Sequence, residues 1–406
     1  MKAGLLTTVP TATRPIPRPG EHLPALDGLR GIAIIVVLCF HSLVLRPDMG
    51  TAANLYLKVM SGGWVGVDLF FVLSGFLITG ILHDSKGSPQ FFRVFYMRRF
   101  LRIFPLYYAF FLVALFVLPE TFRITPEFSQ RQAWCWLYLQ NLAPWWDAQF
   151  SLPYPLSPTW SLAIEEQFYL VWPFIIFGLS RTVAMKWCAA IIPMALALRC
   201  AHLAGGVPEG LIYSTTWCRV DTLAAGAFVA LAVRGPGGVA SVARRAKPVA
   251  ILSAIAILVV GIRQRDLMNH GTWLFTFGLT AIALFFASLL AMLLAASQAG
   301  LTHRVLTNGF LRSVGRYSYA MYLFHLPVQM HISYHWWTRE PILRGEISPL
   351  LGQFISHLLL FAVTYGLALA SWWCFESHIL KLKRFFEYRK PAATPRPASM
   401  TAAPAP

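Results

Sequence analysis

Ten predominantly apolar runs recur along this 406-residue chain, at 29–46, 64–82, 100–118, 160–179, 183–204, 211–233, 248–262, 272–296, 314–332 and 351–375. Most are near the length of about 20 residues that a helix needs to cross the hydrocarbon core of a bilayer. Inside lipid, backbone polar groups must be satisfied within the segment, which restricts such runs to helices. The expected fold is therefore all-α, a polytopic membrane protein of about ten transmembrane helices. Composition agrees: with 57% hydrophobic and 13% charged residues, a water-soluble fold of this size could not hide its apolar side chains. The aromatic segment 134–146 reads as interfacial rather than spanning.

The basic residues give an orientation. With a cytoplasmic N-terminus, the inner loops hold Lys86, Arg93, Arg98, Arg99 and Arg102, then Arg181 and Lys186, then Arg234, Arg244, Arg245 and Lys247, then Arg304, Arg312 and Arg316. Lys381, Lys383, Arg384, Arg389 and Lys390 follow the last span, whereas the opposite loops mix signs, as in Glu120, Arg123, Glu127, Arg131 and Asp147. Ten spans then leave both termini in the cytoplasm and the protein in the inner (plasma) membrane. The net charge of +17 is absorbed at helix ends beside an anionic leaflet, so no nucleic-acid partner is needed. Six cysteines form no C-x-x-C pair or zinc spacing, and neither disulfides nor a metal are expected. The expected division is a flexible N-terminus (1–23), one transmembrane domain (24–385) and a disordered Pro/Ala-rich cytoplasmic tail (386–406).

Ionisable groups at membrane depth are costly and usually functional. In the first apolar run, L-D-G-L-R-G-I-A-I-I-V-V-L-C-F-H, Arg30 and His41 are eleven residues apart. They share a helix face roughly 16 Å apart along the axis. In the fourth run, Ser161, Glu165 and Tyr169 fall four apart and share a face, with Glu166 turned away. His41 and Glu165 both lie in the outer half under the proposed topology, so a carboxylate–imidazole pair acting as a general base is expected, with Asp68 as the rival carboxylate. Arg219 and Asp221 lie near mid-membrane, and with Asp68 they suit a structural salt bridge as well as catalysis. Ser318, Tyr322 and His325 share a face just before Pro327, which is expected to kink its helix. Arg98, Arg99 and Arg102, with Arg30, suggest a basic cytoplasmic mouth beneath His41, suited to phosphates.

These strings together resemble the acyltransferase-3 family of bacterial membrane acyltransferases over about residues 24–385. The resemblance rests on L-D-G-L-R-G…H, G-V-D-L-F-F-V-L-S-G-F-L-I, R-R-F-L-R-I-F-P-L-Y-Y, W-S-L-A-I-E-E-Q-F-Y, R-V-D-T-L-A-A-G and S-Y-A-M-Y-L-F-H-L-P, in the family's order. It implies transfer of an acyl group, usually acetyl, from cytoplasmic acyl-CoA to a hydroxyl of an envelope glycan, glycolipid or small molecule. It also implies that His41 is essential, that Arg30 is tied to the donor, and that the family's Ser-x-x-x-Glu-x-x-x-Tyr pattern falls on Ser161, Glu165 and Tyr169; Asp27, in the first string, is expected to be a supporting polar residue. One departure is F-E-S-H, with His378 where the family often has proline after Glu376. No extracytoplasmic hydrolase-like domain follows in this sequence.

The expected reaction is direct transfer with His41 as base. The variant is an acyl-histidine intermediate. The rival from another class is a proton-coupled transporter or lipid flippase using the same polar residues. Against it stand the lack of an inverted repeat and the basic mouth.

Overall fold

The computed structural model describes residues 23–44, 50–264, 267, 270–335, 344 and 346–388. Residues 1–22 and 389–406 of the expected termini lie outside it. Among the described residues the fold is helical with no strand, and eight helices are long and apolar enough to cross a membrane. The chain is thus a multi-pass membrane protein.

The principal helices are α1 (Pro24–His41), α2 (Thr51–Met60), α3 (Gly66–Ser85), α4 (Phe91–Leu112), α5 (Thr159–Gly178) and α6 (Arg181–Ala204). They continue as α7 (Thr216–Val233), α8 (Gly238–Gln264), α9 (Leu279–Ala295), α10 (Gly309–His335), α11 (Pro349–Ser371) and α12 (Ser377–Leu380). Each of the ten predicted runs falls mainly on a helix, residues 45 and 46 of the first lying outside the described residues, but α5 and α10 are not among the eight apolar spans. In α5 the run Glu165, Glu166, Gln167 lowers the hydropathy; in α10 Arg312, Arg316 and His325 do so.

Three boundaries differ from expectation. α1 starts at Pro24, which suits the first turn because its missing N–H would be unpaired there anyway, and ends at His41 rather than at 46. α8 runs 27 residues where a short span was expected, because Pro248 is carried inside the helix. α2, amphipathic and unpredicted, leads through a 3₁₀ turn (Ser61–Val65) into α3.

Helix packing is set by glycines. α1 packs on α10 and on α3, α3 on α7, and α10 on α11. A Cβ on Gly28 or Gly31 would run into the carbonyls of Leu306 or Leu311, and one on Gly315 into the carbonyl of Asp27. Gly75 and Gly226 meet the carbonyls of Leu223 and Val72 in the same way across α3 and α7. Small residues let the backbones touch, the main route to tight association where lipid removes the hydrophobic drive. The glycines of the L-D-G-L-R-G string therefore bring α1 against α10 at Gly31 and against the short helix before it, Leu301–Leu306, at Gly28. Gly315→Val is expected to destabilise the protein by about 1–3 kcal/mol. Thermal unfolding of the detergent-purified variant checks this, and an unchanged midpoint counts against close packing.

The segment 118–158 does not span. It folds over α4 and α5 through two short helices (Pro126–Arg131 and Ala133–Trp136) and 3₁₀ turns. Tyr107 Oη donates to Cys135 O at 2.9 Å, and Gln167 Nε2 to Asn141 Oδ1 at 2.8 Å. Cys135 and Tyr138 are buried, and burial pushes the Cys135 thiol up. All six cysteines are free thiols.

Candidate active site

Helices α1, α3, α5 and α10 surround a small cavity of about 50 Å³ whose walls mix polar groups with apolar ones such as Val67, Phe70 and Leu162. Arg30, Ser74, Ser161, Glu165, Ser318 and Tyr322 line it. Glu165 Oε1 accepts from Ser74 Oγ at 2.5 Å. Tyr169, one turn along α5, is buried beside both residues. Arg30 and Arg99 are the cations acting on this carboxylate. On the opposite wall, Ser161 Oγ and Tyr322 Oη are 2.7 Å apart, and Tyr322 Oη also donates to Pro158 O at 3.2 Å.

His41 closes α1. Its Nδ1 lies 2.9 Å from Val37 O, one turn back. A carbonyl only accepts, so in the neutral ring Nδ1 carries the proton and Nε2 keeps its lone pair. His325 on α10 stands against it, with ring centroids 4.8 Å apart. It repeats the arrangement: Nδ1 lies 2.6 Å from Tyr322 O, and Nε2 is buried with no hydrogen-bond partner among the described residues. Pro327 sits inside α10, which continues unbroken to His335. Tyr322 thus joins the two imidazoles to the cavity, through its carbonyl on one side and its hydroxyl on the other.

The expected His41–Glu165 pair does not form. Glu165 is held by Ser74, and the rival Asp68 is held by Arg219, whose Nη2 donates to Asp68 Oδ1 at 2.8 Å. The reason is the start of α1. With Pro24 as its first residue, Arg30 sits almost two turns inside, and Arg30, not His41, lines the cavity with Glu165. The backbone carbonyl of Val37, not a carboxylate, sets the His41 tautomer.

Arg219 and Asp221 belong to a separate buried network on α7. Arg199 Nη1 donates to Asp221 Oδ2 at 2.9 Å, and its other nitrogens reach Phe275 O and Thr280 Oγ1. All four charged side chains are at most 1% exposed. Arg199 escaped the sequence analysis, although a lone arginine in an apolar run carries the same signal that picked out His41. Ser74 also escaped, as a single serine among apolar neighbours gives little signal.

Below the cavity, Arg30, Arg99 and Arg102 lie within electrostatic reach of one another. Arg98 donates from Nη1 to Phe386 O at 2.9 Å. Asp27 lies half-buried in the first turn of α1, outside the cavity lining. Among the described residues no group of three or more His, Cys, Asp or Glu could hold a metal ion.

Residues 23–375 match the acyltransferase domain that defines the acyltransferase-3 family. The chain belongs to that family. The match ends at Phe375, so Glu376 and the departing His378 fall beyond it. The peptidoglycan O-acetyltransferase OatA of Listeria monocytogenes is 30% identical over 328 residues, covering 76% of this chain and 49% of that protein. The putative peptidoglycan O-acetyltransferase YrhL of Bacillus subtilis is 30% identical over 329 residues, with the same coverage. The O-acetyltransferase OatA of Staphylococcus aureus is 28% identical over 367 residues, covering 83% of this chain and 56% of that protein. The chain spans about half the length of these relatives. No solved structure matches.

Proposed function

We propose that this chain is a membrane O-acyltransferase that moves an acetyl group from cytoplasmic acetyl-CoA to a hydroxyl of an envelope glycan, with His41 as general base. The named relatives make a peptidoglycan sugar the first acceptor to test. The carrying observation is the His41 Nδ1–Val37 O contact, which leaves Nε2 with a lone pair beside a second imidazole. In the reaction, Nε2 takes the acceptor hydroxyl proton as the oxygen attacks the thioester carbonyl. The carbon–sulfur bond then breaks, and the imidazolium returns the proton to the leaving CoA thiolate. Arg30, Arg99 and Arg102 supply positive charge for the donor's phosphates, with Arg98 at the edge of the cluster.

This reading carries a topology: residues 24–385 form ten spans in the inner membrane, and both termini are cytoplasmic. Single cysteines introduced at each loop, labelled from either side, test it.

A transporter or flippase has no need of a CoA site. CoA at about a hundredfold over its dissociation constant should stabilise the purified protein by about 2.7 kcal/mol. A thermal-shift titration checks this, and a flat response favours the transporter. Transfer of labelled acetyl from CoA to peptidoglycan fragments tests the reaction itself. A labelled protein adduct under single-turnover conditions would favour the acyl-histidine route.

A further inference from the structure

The cations of α4 are joined by a segment that lies beyond the family match. α12 and the following 3₁₀ turn, Lys381–Phe385, pack along α4. Arg98 holds the segment through Phe386 O, and the Arg93 guanidinium sits 5.9 Å over the Phe386 ring. Of the basic residues in this turn, Lys381 and Arg384 are exposed, whereas Lys383 is half-buried. Its ammonium lies within electrostatic reach of Arg102, Arg99 and Arg98. Among the described residues Lys383 Nζ has no hydrogen bond or ion pair.

The acids in reach are Glu376 near Arg102, and Glu165 and Glu166 near Arg99. Among the described residues five cations, with Arg30 included, therefore face three carboxylates, and one of those carboxylates is already bound by Ser74. Folding brings these like charges together at an electrostatic cost that a multiply charged anion relieves.

We propose that Lys383 completes an anion site with Arg98, Arg99 and Arg102, and that its ligand is the phosphate-bearing nucleotide end of the acyl donor. This rests on the acyl-CoA reading above. CoA carries three phosphates on that end, and a compact lysine ammonium suits such groups as a point charge.

The test compares acetyl-CoA with S-acetylpantetheine, which lacks the nucleotide phosphates, in nanodiscs of neutral lipid. Lys383→Gln is expected to raise the KM for acetyl-CoA about tenfold, the size of one charge-assisted contact. It should leave kcat and the KM for S-acetylpantetheine unchanged. Lys383→Arg should restore most of the affinity, and Lys381→Gln, on the outward side of the same turn, should behave as wild type. An unchanged KM, or an equal rise for both donors, overturns the proposal. So does an effect confined to nanodiscs containing phosphatidylglycerol, which would assign the site to a lipid headgroup. If the wild-type protein neither binds CoA nor uses acetyl-CoA, the acyl-CoA reading itself fails.

Discussion

His41→Ala is expected to lower acyl transfer by about a hundred- to ten-thousandfold, the usual contribution of a positioned general base, while the protein still inserts and folds. Folding should survive because His41 is half-buried at the end of α1, and its one backbone contact is to its own helix. The base has no substitute on its own helix, but His325 stands 4.8 Å away in the same tautomer, so residual activity should disappear in the double variant with His325→Ala. Near-normal transfer by His41→Ala, measured with labelled acetyl-CoA, would falsify the central claim. Glu165→Gln makes the complementary experiment. If Glu165 tuned His41, the pH–rate profile would move. With Glu165 bound to Ser74 instead, activity should fall without displacement of the limb belonging to His41.

The second large effect concerns the buried network between α3 and α7. Arg219→Ala should destabilise the protein by about 3–5 kcal/mol, because Asp68 would be left charged and fully buried. Part of the loss comes from packing, since the Arg219 guanidinium lies 4.7 Å over the Tyr213 ring. Removing both charges, as in Asp68→Leu with Arg219→Met, should recover much of the stability. Urea or thermal unfolding of the purified variants decides the matter. Equal losses in the single and double variants would mean that the pair contributes more than mutual neutralisation.

Much of this fold is legible in the chain because helix length and apolarity are local properties. The ten helical runs follow from them, as does the choice of His41, Glu165, Asp68, Arg219 and Asp221 as residues too polar for lipid. Partner choice is another matter. The Asp68–Arg219 and Asp221–Arg199 pairs join residues up to 151 positions apart, and Ser74 and Glu165 are 91 apart. Nothing in the local pattern tells Asp68 to take Arg219 rather than His41. The expected His41–Glu165 pair rested on one boundary. Moving the start of α1 back five residues to Pro24 shifts every depth on that helix by roughly 7.5 Å, and Arg30 rather than His41 lines the cavity.

The sequence alone determined the solvent this protein lives in, the helices it forms and the short list of polar groups that must find partners there. Those follow from the cost of bare backbone and bare charge in hydrocarbon, which each segment meets by itself. Only the tertiary structure decided the pairings. Glycines on α1 and α10 set how closely those backbones approach, and that contact places His41 against His325, while the separate contact of α3 with α5 gives Glu165 to Ser74. Packing of the Lys381–Phe385 turn on α4 likewise brings Lys383 within reach of that helix's arginines, across about 280 residues of chain and with no local pattern to announce it.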